Sequence, residues 1–160
     1  MTVFTIGYEG LSIESFTALL SKNKINTIVD VREFPLSRKP GFSKKALTNH
    51  LKLSGIAYVH MIKLGCPKNV RNAYKEDGDW VHYTKGFIAH LQEQDSAISE
   101  LSALVRSSNC ALLCYEADYN YCHRSMVAKA VSQVSGADVN HIQAAVARRE
   151  MSAASRLAAA

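Results

Sequence analysis

Short apolar segments alternate along this chain with longer segments in which apolar residues recur every three or four positions. Val3 to Ile6 and Thr27 to Val31 are mainly apolar and rich in β-branched residues, which predicts two buried strands. Between them, Ser12 is placed to cap a helix with Phe16 and Leu20 on its apolar side. A strand, a helix and a strand of this length predict a β-α-β unit with parallel strands.

The alternation continues toward the C-terminus. Ser43 is placed to cap a helix that Gly55 stops, and a third strand is predicted over Ala57 to Ile62. The clearest central strand is Ala111 to Glu116. By contrast, Lys68 to Asp79 is polar and lacks a clear period, which predicts an exposed excursion or a lid. The remaining predicted elements are three helices and a last short strand: Trp80 to Gln92, Ile98 to Val105, about Cys122 to Gly136, and Val139 to Ile142.

These elements predict an α/β fold: a single compact domain with a mostly parallel central sheet flanked by helices. The length of 160 residues fits one domain, which we place at residues 1–142, followed by an Ala-rich helix or tail over 143–160. A mean hydropathy of -0.08 is typical of a packed protein. No apolar run reaches the roughly 18 residues of a membrane helix, and the first residues lack the features of a signal peptide. We therefore expect a cytoplasmic protein without a membrane partner.

The net charge of +5 conceals a strong segregation of charge along the chain. The segment from Arg32 to Lys75 holds ten basic residues and one acid, Glu33, whereas the rest of the chain carries a net charge of -4. A positive segment of this size attracts a phosphorylated small molecule, a nucleic acid or an acidic protein. The other interpretation is a solvated, lysine-rich surface that the acidic stretch Glu76 to Asp118 balances.

Polar residues and glycine cluster where the predicted strands end. Gly7 follows the first strand, Asp30 and Arg32 close the second, and Glu116 closes the central one. In a parallel sheet these ends lie on one edge, where open α/β sheets bind ligands. Ionisable groups beside buried positions are rare unless they are paired or functional. We therefore predict a ligand site at this edge.

The helix predicted after the central strand begins with Cys122, His123 and Arg124. The free N–H groups and the dipole of a helix start favour a thiolate and a bound anion, which predicts a nucleophilic or anion-binding turn. The alternative is a buried structural cysteine, with Arg124 paired to a carboxylate. The spacing excludes the cysteine phosphatase loop, because nine residues separate Cys114 from Arg124 and one separates Cys122 from it.

The four cysteines lack the paired CxxC spacing of structural zinc sites, so we predict reduced thiols and no metal site. The side chains that are conceivable ligands all the same are Cys66, Cys114, Cys122, His60, His123 and His141.

The aromatic residues divide into two groups. Tyr119 and Tyr121 lie in the predicted loop before the last long helix, where they are expected to stack against a ligand. Phe34 and Tyr58 are expected to pack in the core.

Taken in order along the chain, several motifs resemble a known family. They are Thr5-Ile6-Gly7, Asp30-Val31-Arg32, Gly41-Phe42-Ser43, Leu64-Gly65, and Cys114-x-Glu116 followed by Cys122-His123-Arg124. Over about residues 3 to 142, they are similar to the family called domain of unknown function 488. At Cys66 this chain departs from the family, which more often has a second glycine there.

The resemblance implies a compact α/β domain of bacterial and archaeal cytosols, and it assigns no reaction. The pattern positions that it carries over are Gly7, Asp30, Arg32, Ser37, Arg38, Glu116, Cys122, His123 and Arg124.

The leading functional hypothesis is an enzyme of nucleotide or nucleic-acid chemistry with an anion site. The predicted catalytic or orienting residues are Cys122, His123, Asp30 and Glu116. The predicted anion-binding residues are Arg32, Ser37, Arg38, Arg124 and Gly7. The alternatives are a non-catalytic nucleic-acid-binding module and a protein-interaction domain. The sequence indicates no particular cofactor.

Overall fold

The structure, a computed structural model, describes residues 1–144 and confirms the α/β prediction. Within these residues five strands form one sheet in the order β3-β2-β4-β1-β5, and every neighbouring pair is parallel. The strands are β1 (Thr2–Gly7), β2 (Thr27–Asp30), β3 (Ala57–His60), β4 (Cys110–Cys114) and β5 (Asp138–Ile142). The segment predicted to be the central strand is indeed the middle strand of the sheet.

Helices cover both faces of the sheet and create a separate hydrophobic core on each. Helices α1 (Ile13–Lys22) and α2 (Lys44–Leu53) cover one face, where Phe16, Leu47 and Leu113 share a core. Four helices of the described residues cover the other face: α3 (Lys68–Asp77), α4 (Trp80–Gln92), α5 (Asp95–Ser107) and α6 (His123–Ser135). None of the helices in residues 1–144 is long and apolar enough to cross a membrane.

Helix α3 corrects the prediction of an exposed excursion or lid. Val70 and Tyr74 are its apolar residues that pack against the core, and they lie four positions apart on one face. So narrow an apolar stripe gives little periodicity in the sequence, although it suffices to hold the helix against α4. Gly78 ends α3 with φ of 62°, and Asp79 then caps α4 by accepting a hydrogen bond from the His82 N–H at 3.1 Å.

The other predicted boundaries are confirmed with small shifts. Ser12 caps α1 as expected, accepting from the Ser15 N–H at 3.1 Å. Ser43 precedes α2, but its hydroxyl bonds the backbone of Ser37 instead of capping the helix. The third strand ends at His60 because a 3₁₀ turn, Ile62–Leu64, follows it. The predicted C-terminal helix or tail lies outside the described residues from position 145 onward.

The direction in which successive strands are added to the sheet reverses in its middle, although all the strands run parallel. After β1 and β2 it crosses to the face of α1 and α2, whereas after β4 it crosses to the opposite face through α6. A crevice therefore opens at the carboxyl end of β4, between loops that leave in opposite directions. Such a switch point is where doubly wound sheets place their ligands.

Candidate functional site

A cavity of about 560 Å³ lies at this switch point. Its volume falls within the range of about 300 to 1,000 Å³ typical of small-molecule sites. Residues from the ends of β2 and β4, from α3 and α4, and from the start of α6 line it. They include Tyr8, Arg32, Glu33, Phe34, Ser37, Arg38, Cys66, Arg71, Tyr74, Lys75, Trp80, Tyr83, Cys114, Glu116, Tyr121, Cys122 and His123.

The floor of the cavity holds two thiols and an imidazole. Cys114 is the last residue of β4, Cys122 is the N-cap residue of α6, and His123 is the first residue of that helix. All three are buried, and one donor atom from each lies within 4.8 Å of the others. The Cys114 Sγ atom is 3.8 Å from His123 Nδ1. The strand end and the helix start thus bring together residues that seven positions separate in the sequence.

The His123 ring is held in one orientation. Its Nε2 atom lies 2.7 Å from the backbone oxygen of Val31, which accepts a hydrogen bond, so Nε2 carries a proton. Phe87 packs edge to face against the ring at 5.1 Å between centroids. The second ring nitrogen, Nδ1, is therefore the one presented to sulfur.

The two thiols differ in their acidity. Burial opposes ionisation of Cys122, but hydrogen bonds from Cys114 and His123 and the charge of Arg124 hold its pKa well below the usual value. The pKa of Cys114 is raised well above the usual value, because it donates to Cys122 and because it is buried. Together with the α6 N-terminus, these contacts favour a thiolate at Cys122.

Arg124 lies behind the floor and supports the loop that follows β4. Its guanidinium donates to the backbone oxygen of Glu116, to that of Ala117 at 3.3 Å and to Thr5 Oγ1 at 3.3 Å. The side chain is 1% exposed. Gly7 permits the same arrangement, since a Cβ atom there would lie 1.8 Å from the Glu116 oxygen. Both residues therefore shape the loop in this structure, and neither lines the cavity.

Asp30 and Arg32 form a closed, buried ion pair. The guanidinium binds both carboxylate oxygens, at 2.9 Å from Nε and 2.7 Å from Nη2. Its Nη1 donates to the hydroxyl of Tyr8 at 3.2 Å and to the backbone oxygen of Phe42 at 2.7 Å. Tyr58 donates its hydroxyl to Asp30 at 2.6 Å. Although burial opposes its charge, the hydrogen bonds and charge of Asp30 raise the pKa of Arg32. Burial, followed by the hydrogen bond with Asp30, raises that of Tyr58.

Cations that solvent can reach also line the cavity. Arg38, Arg71 and Lys75 line the cavity, and Arg38 and Lys75 are exposed. Arg71 donates to Glu33 at 2.9 Å and lies over the ring of Phe34 at 5.4 Å. Phe34 is 54% exposed, which corrects the expectation that it packs in the core. Its ring faces the cavity, where it covers a cation that a ligand can reach.

Aromatic residues complete the rim. Trp80 stacks on Tyr83 at 4.6 Å between centroids, and Tyr121 meets the indole edge to face at 5.5 Å. Tyr121 is 56% exposed and lines the cavity. Tyr119 stacks instead on the ring of His141 at 3.8 Å, outside the cavity. Tyr58 is half-buried and packs against the core as expected.

A family model described as domain of unknown function DUF488 matches residues 12–131 of this chain. The protein belongs to the DUF488 family. The match covers three quarters of the chain and every lining residue of the cavity except Tyr8. Comparison with curated proteins found no match, and comparison with solved structures found none.

The cavity of this DUF488 protein gathers most of the residues that the sequence singled out. The predicted site residues that line it are Arg32, Ser37, Arg38, Glu116, Cys122 and His123. Gly7, Asp30 and Arg124 support the site from behind. Burial, followed by the charge of Cys122, raises the pKa of Glu116. Of the conceivable metal ligands, Cys114, Cys122 and His123 come together, whereas His60 bonds the Arg32 backbone oxygen at 2.8 Å.

Sequence reasoning missed two cationic contributors to the DUF488 cavity, Arg71 and Lys75. Both belong to the basic segment, but no motif marks them. Their spacing of four residues would have placed them on one face of a helix if α3 had been recognised.

Proposed function

We propose that this DUF488 protein is an enzyme that acts on a phosphate-bearing nucleotide, either free or as a unit of a nucleic acid, bound in the switch-point cavity. The observation that carries the proposal is the composition of that cavity. Its wall offers cations, stacking rings and carboxylates, and its floor offers two thiols and an imidazole. Binding groups and reactive groups thus face the same cavity, as a candidate active site requires.

Phosphate would bind to the open cations. Arg71 has a planar guanidinium that suits phosphate oxygens, and Arg38 and Lys75 add charge at the rim. Arg32 is a weaker choice because its donors already bind Asp30, Tyr8 and Phe42. Its charge is also offset by the carboxylate of Asp30.

The base would lie against the aromatic rim. Trp80 and Tyr121 present ring surfaces to the cavity, and stacking on such rings contributes about 1 to 3 kcal/mol per base. Stacking needs no particular base edge, so this rim accommodates either a free nucleotide or an unstacked base of a strand.

The chemistry would come from the floor. Cys122 and His123 supply the reactive sulfur and nitrogen. Glu116 also lines the cavity and would exchange a proton with a bound molecule, whereas the other lining carboxylate, Glu33, is paired with Arg71. Asp30 orients Arg32, Ser37 holds the basic loop through Ser43, and Arg124 positions the loop that carries Glu116. These last three act as positioning residues.

Calorimetric titration with nucleoside monophosphates tests the binding step. Arg71→Gln should weaken binding by at least about tenfold, because a charge-assisted contact contributes about 1.5 to 3 kcal/mol. Trp80→Leu should weaken it for nucleotides but not for inorganic phosphate. Lys52→Gln on the exposed surface of α2 is the matched control and should leave affinity unchanged.

Equal losses in the Lys52 and Arg71 variants would show that the basic segment attracts anions without a defined site. Turnover is then tested by incubating the protein with nucleotides and oligonucleotides and following products by mass spectrometry. If the double variant Cys122→Ser, Glu116→Gln still forms product, neither side chain has the reactive role proposed for it.

A second candidate function is a non-catalytic nucleic-acid-binding module. It is favoured by Lys44, Lys45 and Lys52, which are exposed on α2 and lie outside the cavity. Such a module would bind DNA or RNA with a steep dependence on salt, and Lys44→Gln together with Lys45→Gln would flatten the slope. An enzyme of the proposed kind would instead lose binding mainly through the cavity variants.

A further inference from the structure

We propose that Cys114, Cys122 and His123 form a binding site for a thiophilic divalent metal ion of the zinc type, with one coordination position open to the cavity. The metal site is argued independently of the proposed function. Only a role for the metal in a nucleotide reaction rests on that function.

The donor atoms have nearly the spacing that zinc needs. With metal bonds of about 2.3 Å to sulfur and about 2.0 to 2.1 Å to nitrogen, tetrahedral ligands lie about 3.5 to 3.8 Å apart. Cys114 Sγ and His123 Nδ1 are 3.8 Å apart, and no two of the three donor atoms are separated by more than 4.8 Å. Side-chain adjustments of less than about 1 Å therefore complete the arrangement.

His123 is already fixed as a metal-ligating histidine usually is. Its Nε2–H donates to the Val31 backbone oxygen at 2.7 Å, which leaves Nδ1 on the side of the sulfur atoms. A hydrogen bond from the second ring nitrogen to a backbone carbonyl is the common means of orienting such ligands. No rotation of the ring is needed before a metal binds.

The second thiol is the feature that a purely nucleophilic site leaves unexplained. A cysteine nucleophile requires one sulfur and one base, which Cys122 and His123 would provide. Cys114 adds another buried sulfur within the same cluster. Two sulfur ligands and one imidazole nitrogen form a soft donor set that zinc accepts and that magnesium and calcium disfavour.

The site also has the open position expected of a reactive metal. Structural zinc sites use four protein ligands, whereas catalytic ones use three and leave a position for water or substrate. All three ligands line the cavity, and so does Glu116, a carboxylate that can exchange a proton with a molecule bound there. Cys66 lines the cavity too, but it lies outside the ligand cluster, with its thiol 3.8 Å from the Pro67 backbone oxygen.

Cobalt(II) titration of the reduced, metal-stripped full-length protein tests the proposal. We expect one equivalent to bind per chain, with sulfur-to-cobalt charge-transfer absorption and the intense visible bands of tetrahedral cobalt, and zinc should displace it. Cys114→Ser and Cys122→Ser should each weaken binding by at least about tenfold, as even outer-shell changes do. His123→Gln should abolish the tetrahedral spectrum or weaken binding similarly.

Cys66→Ser and Cys110→Ser are the matched controls, since both replace buried thiols outside the cluster and should leave the titration unchanged. Circular dichroism and thermal unfolding of each variant separate a lost ligand from a lost fold. The proposal is overturned by octahedral cobalt spectra, by equal losses in the control variants, or by a Cys114–Cys122 disulfide that forms in air even in the presence of zinc.

The titration uses the metal alone, so its failure is separable from failure of the proposed function. Cobalt binding without nucleotide binding would keep the metal site and remove the nucleotide. Nucleotide binding without cobalt binding would keep the cavity and return Cys122 to the role of a nucleophile without a metal.

Discussion

Two arginine–carboxylate pairs lie at the same edge of the sheet and differ in their access to solvent. Arg32 Nη2 lies 2.7 Å from Asp30 Oδ2, and the two side chains are 6% and 0% exposed. Arg71 Nη2 lies 2.9 Å from Glu33 Oε2, and the two side chains are 34% and 24% exposed. Arg32 lines the cavity, but the first pair is closed around partners from the protein. Both members of the second pair line the cavity.

The difference shows how to divide the charged residues of this edge. A buried pair with all its oxygens and most of its N–H groups bonded holds the framework, and a ligand would have to displace those bonds. A half-exposed pair is easily exchanged for a new anion because water already screens it. Ligand binding should therefore depend on Arg71, and stability on Asp30.

The largest effect is expected from opening the closed pair. Asp30→Asn removes the charge that balances Arg32 and should lower the free energy of unfolding by about 3 to 5 kcal/mol, the usual cost of an uncompensated buried charge. Urea denaturation measures it. Glu100→Gln, exposed on α5, is the control and should change stability by less than about 0.5 kcal/mol. A small loss at Asp30 with loss of activity would favour the catalytic role predicted for it from the sequence.

A second effect concerns the loop that carries Glu116. Gly7→Ala places a methyl group where the Glu116 backbone oxygen now lies and 3.1 Å from Arg124 Nη1. We expect a loss of about 1 to 3 kcal/mol, as for other overpacked sites, together with weaker nucleotide binding because the loop must move. Urea denaturation and calorimetry read the two consequences separately. Unchanged stability would mean that the loop shifts freely, and then Arg124 does not fix it.

A smaller, pH-dependent effect is expected from the partners of Arg124. Thr5 Oγ1 accepts a hydrogen bond from Arg124 and lies 2.7 Å from His141 Nδ1, within hydrogen-bond distance. Burial, with the charge of Arg124, lowers the pKa of His141 below its ordinary 6.5. The folded state therefore binds a proton less readily than the unfolded state, and stability should fall as the pH drops below about 6.5. Thermal unfolding between pH 7.5 and pH 5 should show a steeper decline than in His141→Gln.

The sequence predicted the elements better than their arrangement. Strands such as Val3 to Ile6 were recognisable because they are short, apolar and bounded by glycine, and α1 because its apolar residues repeat at helical spacing. Nothing local indicates that β4 inserts between β1 and β2, because that order depends on long-range pairing. Helix α3 escaped detection because it carries a narrow apolar stripe.

The candidate site was partly predictable for a related reason. Residues at strand ends and at the start of α6 were found because parallel strands bring their carboxyl ends together. Whether a given charged side chain can reach a ligand was not predictable. Some of the partners that enclose Arg32 and Arg124, such as Tyr8 and Thr5, come from segments distant in sequence. Cys114, Cys122 and His123 were among the conceivable metal ligands, but their spacing matches no recognised ligand motif that would have shown that they meet.

The smallest effect on stability should accompany a gain in binding. Glu33→Gln breaks the half-exposed pair with Arg71 and should cost no more than about 1 kcal/mol, because such pairs contribute little. It also removes the acid that competes with phosphate for the Arg71 guanidinium, so affinity for a nucleoside monophosphate should rise. Calorimetry at two salt concentrations tests this, since the gain should shrink as salt screens the cavity. Weaker binding in this variant would mean that Glu33 holds Arg71 in its binding orientation, and the open pair would then be part of the framework as the closed one is.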